Sequence, residues 1–105
     1  MITATVIITT TPTSLRDLIN TAVPGRIPVG SSGRAFQIIL IPSAITVVIS
    51  DDPSTPTGAG GVALTATAIA QYNFLAPTGN QLALEEIFLS SAAGGETVGV
   101  IAFTL

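Results

Sequence analysis

The chain has 105 residues, of which 48% are hydrophobic and only 9% charged, and its formal net charge is −3. It contains no Cys, His, Trp or Lys, which excludes disulfides, Cys or His metal ligands, Lys Schiff bases and the usual His-dependent nucleophiles. A negative chain with three Arg also lacks the basic surface of a nucleic-acid-binding protein.

The length predicts one domain spanning residues 1–105. A folded monomer of this mass exposes about 5,500 Å², and a typical composition with roughly 25% charged residues places one charge on about every 200 Å² of it. Nine charged side chains supply only about a third of that density. We therefore expect a largely neutral surface that is covered in an assembly.

The first predicted element is a strand over residues 2–9, where small or β-branched residues alternate. Its even-numbered positions are predicted to face the core, which leaves Ile7 on the opposite face with the threonines.

A helix is predicted over residues 14–23. Ser14 is its N-cap, with Asp17 three positions later, and Pro24-Gly25 ends it. The apolar stripe at helical spacing comprises Leu15, Leu18, Ile19, Ala22 and Val23. The remaining helical residues, Arg16, Asp17, Asn20 and Thr21, are predicted to face water.

Three strands are predicted next, one short around 27–29 and the others over 35–41 and 44–50. Phe36, Ile38 and Leu40 share one face of the second strand. When that face packs against the core, Ile39 and Ile41 point away from the core. Val48 points away from the core in the same way on the third strand.

Residues 51–61 read as a loop rich in Pro, Gly and Thr, and residues 62–74 as one long alternating strand. Thirteen residues are long for one strand, so we expect it to bend or to be shared between two sheets. Its even positions are predicted to face the core, with Ile69 on the other side.

The remaining strands are predicted over 82–90 and 97–105, separated by a turn at 91–95. The apolar phase of the first shifts at Glu85-Glu86, and a β-bulge there would keep its aliphatic residues on the core side. The whole pattern predicts an all-β fold: an antiparallel β-sandwich or small barrel, jelly-roll-like, with seven or eight strands and one short helix.

No motif predicts a catalytic, metal or cofactor site. Asp51-Asp52 offers oxygen ligands without the spacing of an EF-hand, and capping of a turn is the better interpretation. Glu85 and Glu86 are neighbours on a strand and would point to opposite faces. The Gly-rich stretch 58–61 has no Lys and leads into a strand, unlike a phosphate-binding loop.

Membrane insertion is also not predicted. The most apolar stretch, residues 35–49, is interrupted by polar residues and Pro and falls short of the ~18 apolar residues of a spanning helix. Residues 1–11 lack the basic segment of a secretory signal.

Apolar residues outside the predicted core and the few charged residues are predicted to contact other subunits. Arg forms bidentate pairs with carboxylates, so we expect inter-subunit or helix-to-loop pairs for the three cations. The predicted interface residues are Ile7, Ile39, Ile41, Val48, Ile69, Arg16, Arg26, Arg34, Asp51 and Asp52.

The order of segments resembles small structural proteins of tailed-bacteriophage virions, the capsid decoration (cement) proteins and head-fibre bases. The resemblance spans roughly residues 14–103 and lies in "SLRDLINTAVPG", "GRAFQIILIPSAITVVISDD", "GVALTATAI" and "LALEEIFLSSAAGGETVGVIAF". It implies a compact β-sandwich without catalytic residues, which binds the major capsid protein or other virion subunits and forms homo-oligomers, with a trimer favoured.

The expected function is therefore non-enzymatic: a virion protein that decorates and stabilises a capsid. The alternative is a carbohydrate-binding or adhesin module of a fibre or cell surface, which predicts a groove with Tyr72 or Phe88 exposed, although core packing is the simpler role for the aromatic residues. A small hydrolase using Asp51, Glu85 or Glu96 is the remaining hypothesis.

Overall fold

The computed structural model describes residues 1–28, 33–43, 47–51, 61–64 and 71–104. Within these ranges lie ten strands, one α-helix and one 3-10 helix. In chain order they are β1 (Ile2–Ile7), β2 (Thr13–Ser14), α1 (Leu15–Ala22), β3 (Arg34–Ala35), β4 (Gln37–Pro42), β5 (Val47–Ser50), β6 (Val62–Leu64), β7 (Tyr72–Leu75), β8 (Leu82–Ala83), the 3-10 helix (Leu84–Glu86), β9 (Phe88–Ser90) and β10 (Thr97–Phe103).

Two four-stranded antiparallel sheets make up the fold. The first has the strand order β1-β10-β4-β7 and the second β2-β9-β5-β6, while β3 and β8 form a separate short pair. Chain-adjacent strands repeatedly fall in different sheets, which is the strand order of a jelly roll once the short pair is set aside. The prediction of an all-β antiparallel sandwich is confirmed.

The core lies between the two sheets. The first sheet contributes Ile2, Val6, Ile38, Leu40, Val98, Val100 and Ala102, and the second contributes Val47, Leu64 and Leu89. Leu15, Leu18 and Ile19 of α1 pack into the same cluster. The helix therefore packs onto the sandwich core beside β1.

Helix α1 forms where its sequence signals predict, but Ala22 and Val23, the last two residues of the predicted apolar stripe, are exposed. Ser14 Oγ accepts a hydrogen bond from the backbone N–H of Asp17 at 3.1 Å, so the predicted N-cap is confirmed. Asn20, predicted to face water, is half-buried instead. Its side chain donates to the carbonyl of Ile27 at 3.0 Å and accepts from the Ile27 N–H at 2.8 Å.

The phase shift near residue 85 is produced by a helical turn. The predicted β-bulge is wrong: the 3-10 helix Leu84–Glu86 separates β8 from β9. A single 3-10 turn advances the chain without continuing the two-residue alternation of a strand. It buries Leu84, and β9 buries Leu89 beyond it.

Three other strand predictions differ from the structure. Phe36 lies between β3 and β4 in a bend and is exposed, so it does not share a core face with Ile38. Arg26 to Pro28 form no strand, and Val29 lies outside the described residues. Val62 is exposed rather than core-facing.

The long strand predicted over 62–74 is divided at its ends between the two sheets. β6 pairs with β5 in the second sheet and β7 pairs with β4 in the first. The expectation that this stretch is shared between sheets agrees with those pairings. Residues 65–70 lie outside the described residues.

Candidate interaction surface

The first sheet has one buried and one solvent-facing side. Strand alternation turns Ile2, Ala4 and Val6 of β1 inward, whereas Thr3, Thr5 and Ile7 point the other way. We call the solvent-facing side the outer face; it comprises Thr3, Thr5, Ile7, Gln37, Ile39, Ile41, Asn73, Leu75, Thr97, Gly99, Ile101 and Phe103.

The strand register arranges this face in rows. Thr3, Ile101, Ile39 and Asn73 stand side by side across the four strands. The next row contains Thr5, Gly99 and Ile41. The centre is therefore aliphatic, and threonines and amides lie towards the two edge strands.

The outer face carries no charged side chain among the described residues. The chain exposes 5597 Å² in total, so even its sparse charges average about one per 600 Å². All of the described ones lie elsewhere, on α1, β3, the 3-10 helix and the connecting segments. The outer face of the first sheet is thus neutral, and the described strands of the second sheet also carry no charged residue.

Polar side chains on or beside this face are hydrogen-bonded to one another. Gln37 Nε2 donates to Asn73 Oδ1 at 2.9 Å. Thr97 Oγ1 donates to Ser43 Oγ at 2.8 Å, and Ser43 Oγ donates to the Thr97 carbonyl at 2.9 Å. Because these groups already have partners, covering them with another protein costs less desolvation free energy than covering free groups.

Three of the predicted apolar contact residues lie on the outer face. Ile7 is 63% exposed, and Ile39 and Ile41 are half-buried in the middle of the sheet. Val48 does not belong with them: it is buried in the second sheet, where Gly61 packs against it. Ile69 lies outside the described residues.

Sequence analysis missed four apolar or small members of the face: Leu75, Gly99, Ile101 and Phe103. Leu75 is 70% exposed at the β7 edge. The alternation of residues 97–103 contained a signal for them: Val98, Val100 and Ala102 turn inward, so the odd-numbered residues face outward. It becomes informative only once the face of β10 that meets the core is known.

The arginines engage groups within the chain. Arg16 Nη1 lies 3.6 Å from Glu85 Oε2, and Arg16 Nη2 donates to the Pro28 carbonyl at 3.0 Å. Arg26 Nη2 donates to the Met1 carbonyl at 2.9 Å. These contacts correspond to the predicted helix-to-loop pairing for Arg16.

Two of the predicted polar contact residues are exposed away from the outer face. Arg34 lies on β3 and Asp51 directly follows β5. In the described ranges no ion pair involves either of them. Asp52 lies outside those ranges.

Candidate catalytic and metal-binding residues are dispersed. Glu85 and Glu86 are both exposed on the 3-10 helix. Glu96 is buried: its Oε2 accepts a hydrogen bond from Ser91 Oγ, and its Oε1 has no hydrogen-bond partner. Within the described residues, no three acidic side chains come close enough to hold a metal ion.

The aromatic residues predicted for a sugar-binding groove are half-buried. Tyr72 packs against the core, and Phe88 is also only partly accessible. Phe36 is 39% exposed, and its ring centroid lies 6.2 Å from that of Phe103. The accessible aromatic surface is therefore at a different position from the predicted one.

No protein-family model, curated protein or solved structure matches the chain. Among the described helices, none has both the length and the apolar character needed to cross a membrane.

Proposed function

We propose that the protein is a non-enzymatic structural subunit of a bacteriophage virion, which decorates and stabilises the capsid. The observation that carries this proposal is the outer face, a four-stranded sheet surface without a charged side chain in its described residues. Neutral, flat surfaces of this kind are favourable to cover and unfavourable to leave in water.

The energetics favour coverage by another protein. Complete burial of an Ile side chain contributes roughly 1.5–3 kcal/mol. None of four outer-face isoleucines is fully buried in the monomer, so covering them would still release part of this free energy: Ile7, Ile39, Ile41 and Ile101. Several such contacts per subunit, repeated over a lattice, make dissociation rare through avidity.

The fold is compatible with this function. Jelly-roll sandwiches occur in viral capsid proteins and in lectins, and a fold does not define an activity. The segment order that resembles phage decoration proteins is an independent reason to choose the virion. The major capsid protein and further copies of the chain are the partners that the proposal names.

The proposal is tested by adding one charge to the outer face. Ile39→Asp places a carboxylate at its centre, where docking would desolvate it. Shells of the virus that encodes the chain are prepared without the protein, mixed with each variant and sedimented. The number of bound copies should be at least tenfold lower for Ile39→Asp than for the unmodified chain. Thr78→Asp, in an exposed turn away from this face, is the matched control.

Thermal unfolding of both variants separates docking from folding, and the two melting temperatures should agree within a few degrees. Shells that bind Ile39→Asp as well as the unmodified chain would contradict docking through the outer face. Shells that bind neither protein would contradict the virion function itself.

A carbohydrate-binding module is the second candidate, and Phe36 is the observation that favours it. Its exposed ring lies beside Phe103, and the Gln37–Asn73 amide pair is nearby. Exposed rings beside amides can stack on a sugar and hydrogen-bond its hydroxyls. Binding on a glycan array that Phe36→Ala abolishes would favour this function over capsid decoration.

A further inference from the structure

Gly99 occupies an unusual position at the centre of the outer face. It lies in the middle of β10, paired with Thr5 of β1 on one side and Ile41 of β4 on the other. Glycine inside a strand is destabilising by roughly 0.5–1 kcal/mol and offers no side chain to pack. Its presence in the longest described strand therefore needs a reason.

The chain's own structure does not require a glycine there. The backbone of Gly99 is not in the left-handed region. A Cβ added at this position would meet its nearest neighbour, Ile41 Cβ, at 3.5 Å, which is ordinary van der Waals contact. At Gly61, by contrast, an added Cβ would collide with Val48. Within the described residues nothing excludes a side chain at residue 99, and a glycine inside a strand is typical of a site where another backbone approaches closely.

The missing side chain leaves a shallow depression on the outer face. It is lined by Thr3, Thr5, Ile41, Ile101 and the backbone around Gly99. Ile101 projects from the same strand two residues away and remains partly accessible. A protruding aliphatic side chain thus stands directly beside a hole of complementary chemistry.

We propose that a second copy of the chain covers the outer face, related by a two-fold axis that lies between the two outer faces, runs perpendicular to the strands and passes over β10 at Val100. Such an axis exchanges positions 99 and 101, so the partner's Ile101 fills the depression over Gly99 and the converse contact forms at the same time. Two-fold interfaces are self-complementary in this manner. The proposal rests on the proposed function: in the free chain a second copy covers the outer face, and a capsid shell competes with that copy for the same face.

The strand register makes the rest of the face match under this operation. The row of Thr5, Gly99 and Ile41 is exchanged with the row of Thr3, Ile101 and Ile39. Ile41 then lies opposite the partner's Ile39, and Thr5 lies opposite the partner's Thr3. Two sheets packed face to face at about 10 Å bring such side chains into contact.

Charge and area both support a second copy as the occupant. A partner with ordinary surface charge would bury that charge without a counter-ion here, whereas an identical neutral face leaves none unpaired. The four strands have 6, 6, 4 and 7 residues, which at about 3.3 Å per residue and 4.8 Å between strands cover roughly 360 Å² per copy in projection. Side-chain relief raises the buried area towards the low end of specific complexes, about 1,200 Å² in total, so we expect micromolar association.

Analytical ultracentrifugation of single and mixed variants tests the arrangement. The unmodified chain should form a species of twice 10.6 kDa as its concentration rises. Gly99→Ile fills both holes and should weaken dimerisation at least tenfold. Ile101→Ala removes both protruding side chains and should also weaken it. In an equimolar mixture of these two variants, the intact Ile101 of one chain meets the intact Gly99 of the other, so the heterodimer should recover part of the lost affinity.

Two further measurements keep folding separate from association. Gly99→Ala should preserve or raise the melting temperature and still weaken the dimer, which shows that the glycine serves the interface. Ala93→Leu adds apolar bulk in an exposed loop outside the outer face and should leave the dimer unchanged.

A chain that stays monomeric at high micromolar concentration, a trimer, or a dimer insensitive to Gly99→Ile would each overturn the two-fold pairing. The shell-binding assay remains an independent readout. Shells that bind a monomeric chain would preserve the proposed function without this pairing. A dimer that binds no shell would preserve the pairing and contradict the virion function.

Discussion

Among the described residues, Glu96 has a buried side-chain oxygen without a hydrogen-bond partner. The residue is 5% exposed, its Oε2 accepts from Ser91 Oγ, and its Oε1 has no hydrogen-bond partner. Ser91 is fully buried and also accepts from the Gly94 N–H at 3.0 Å. Backbone hydrogen bonds join this segment to the residues after β1: the Ser91 N–H donates to the Thr9 carbonyl and the Gly95 N–H donates to the Ile8 carbonyl.

We predict that Ser91→Ala and Glu96→Gln have unequal effects. Ser91→Ala leaves a buried carboxyl group without its donor and the Gly94 N–H without its acceptor. It should reduce the free energy of unfolding by about 1–3 kcal/mol. Glu96→Gln keeps an acceptor for Ser91 and replaces the carboxyl group with an amide of similar size, so its effect should be smaller. Urea unfolding measures both.

The double variant provides the control for that comparison. If the hydroxyl and the carboxyl group act as a pair, the two changes are not additive. Strict additivity, or a larger loss for Glu96→Gln than for Ser91→Ala, would contradict the assigned hydrogen bond.

Helix α1 shows how one element organises its neighbours. Its apolar stripe packs against β1 and the core, while Arg16 and Asn20 fasten the segment that follows the helix. Asn20 bonds both backbone groups of Ile27, which is buried. The helix is therefore tied to the fold by polar contacts as well as by apolar burial.

We predict that Asn20→Ala costs about 2 kcal/mol of unfolding free energy, since each of two partly buried hydrogen bonds contributes about 1 kcal/mol. Asn20→Asp keeps the acceptor for the Ile27 N–H and loses the donor to its carbonyl, so its cost should be intermediate. Thr21→Ala, on the same helix, removes only an exposed bond to the Asp17 carbonyl and serves as the control. Equal losses for Asn20→Ala and Thr21→Ala in chemical denaturation would refute this assignment.

For the whole molecule, the distribution of charge matters more than its total. Charged side chains in the described ranges lie on the helices, β3 and the connecting segments, and the outer face has none. Association through a neutral face depends on apolar burial and shape instead of on ion pairs. Such an interface should therefore respond little to ionic strength.

We predict that the dimer dissociation constant changes less than about twofold between 50 and 500 mM NaCl, because screening acts only on charges. Thr5→Glu supplies the comparison: it brings like charges together near the two-fold axis, so its dimer should be weak in low salt and stronger in high salt. Sedimentation at several salt concentrations measures both. A steep loss of the unmodified dimer with added salt would show that charged surfaces make the contact instead.

Local patterns in the chain were sufficient for several features. The N-cap at Ser14, the inward parity of β1 and the exposure of Ile7 follow from hydrogen-bonding capacity and from period-two alternation, both of which act between near neighbours. The all-β sandwich likewise follows from many short alternating segments separated by turn residues.

Tertiary structure alone decided which faces stay open. Val48 and Ile39 look alike in sequence, yet Gly61 packs over the first and the second remains accessible in the sheet centre. The phase shift at Glu85 admitted a bulge or a 3-10 turn, and packing of Leu84 into the core accompanies the turn. Gly99, Ile101 and Ile41 become neighbours only when β10 pairs with β4. Contacts between distant segments determine these outcomes, and a local pattern contains no information about which strand will lie alongside which.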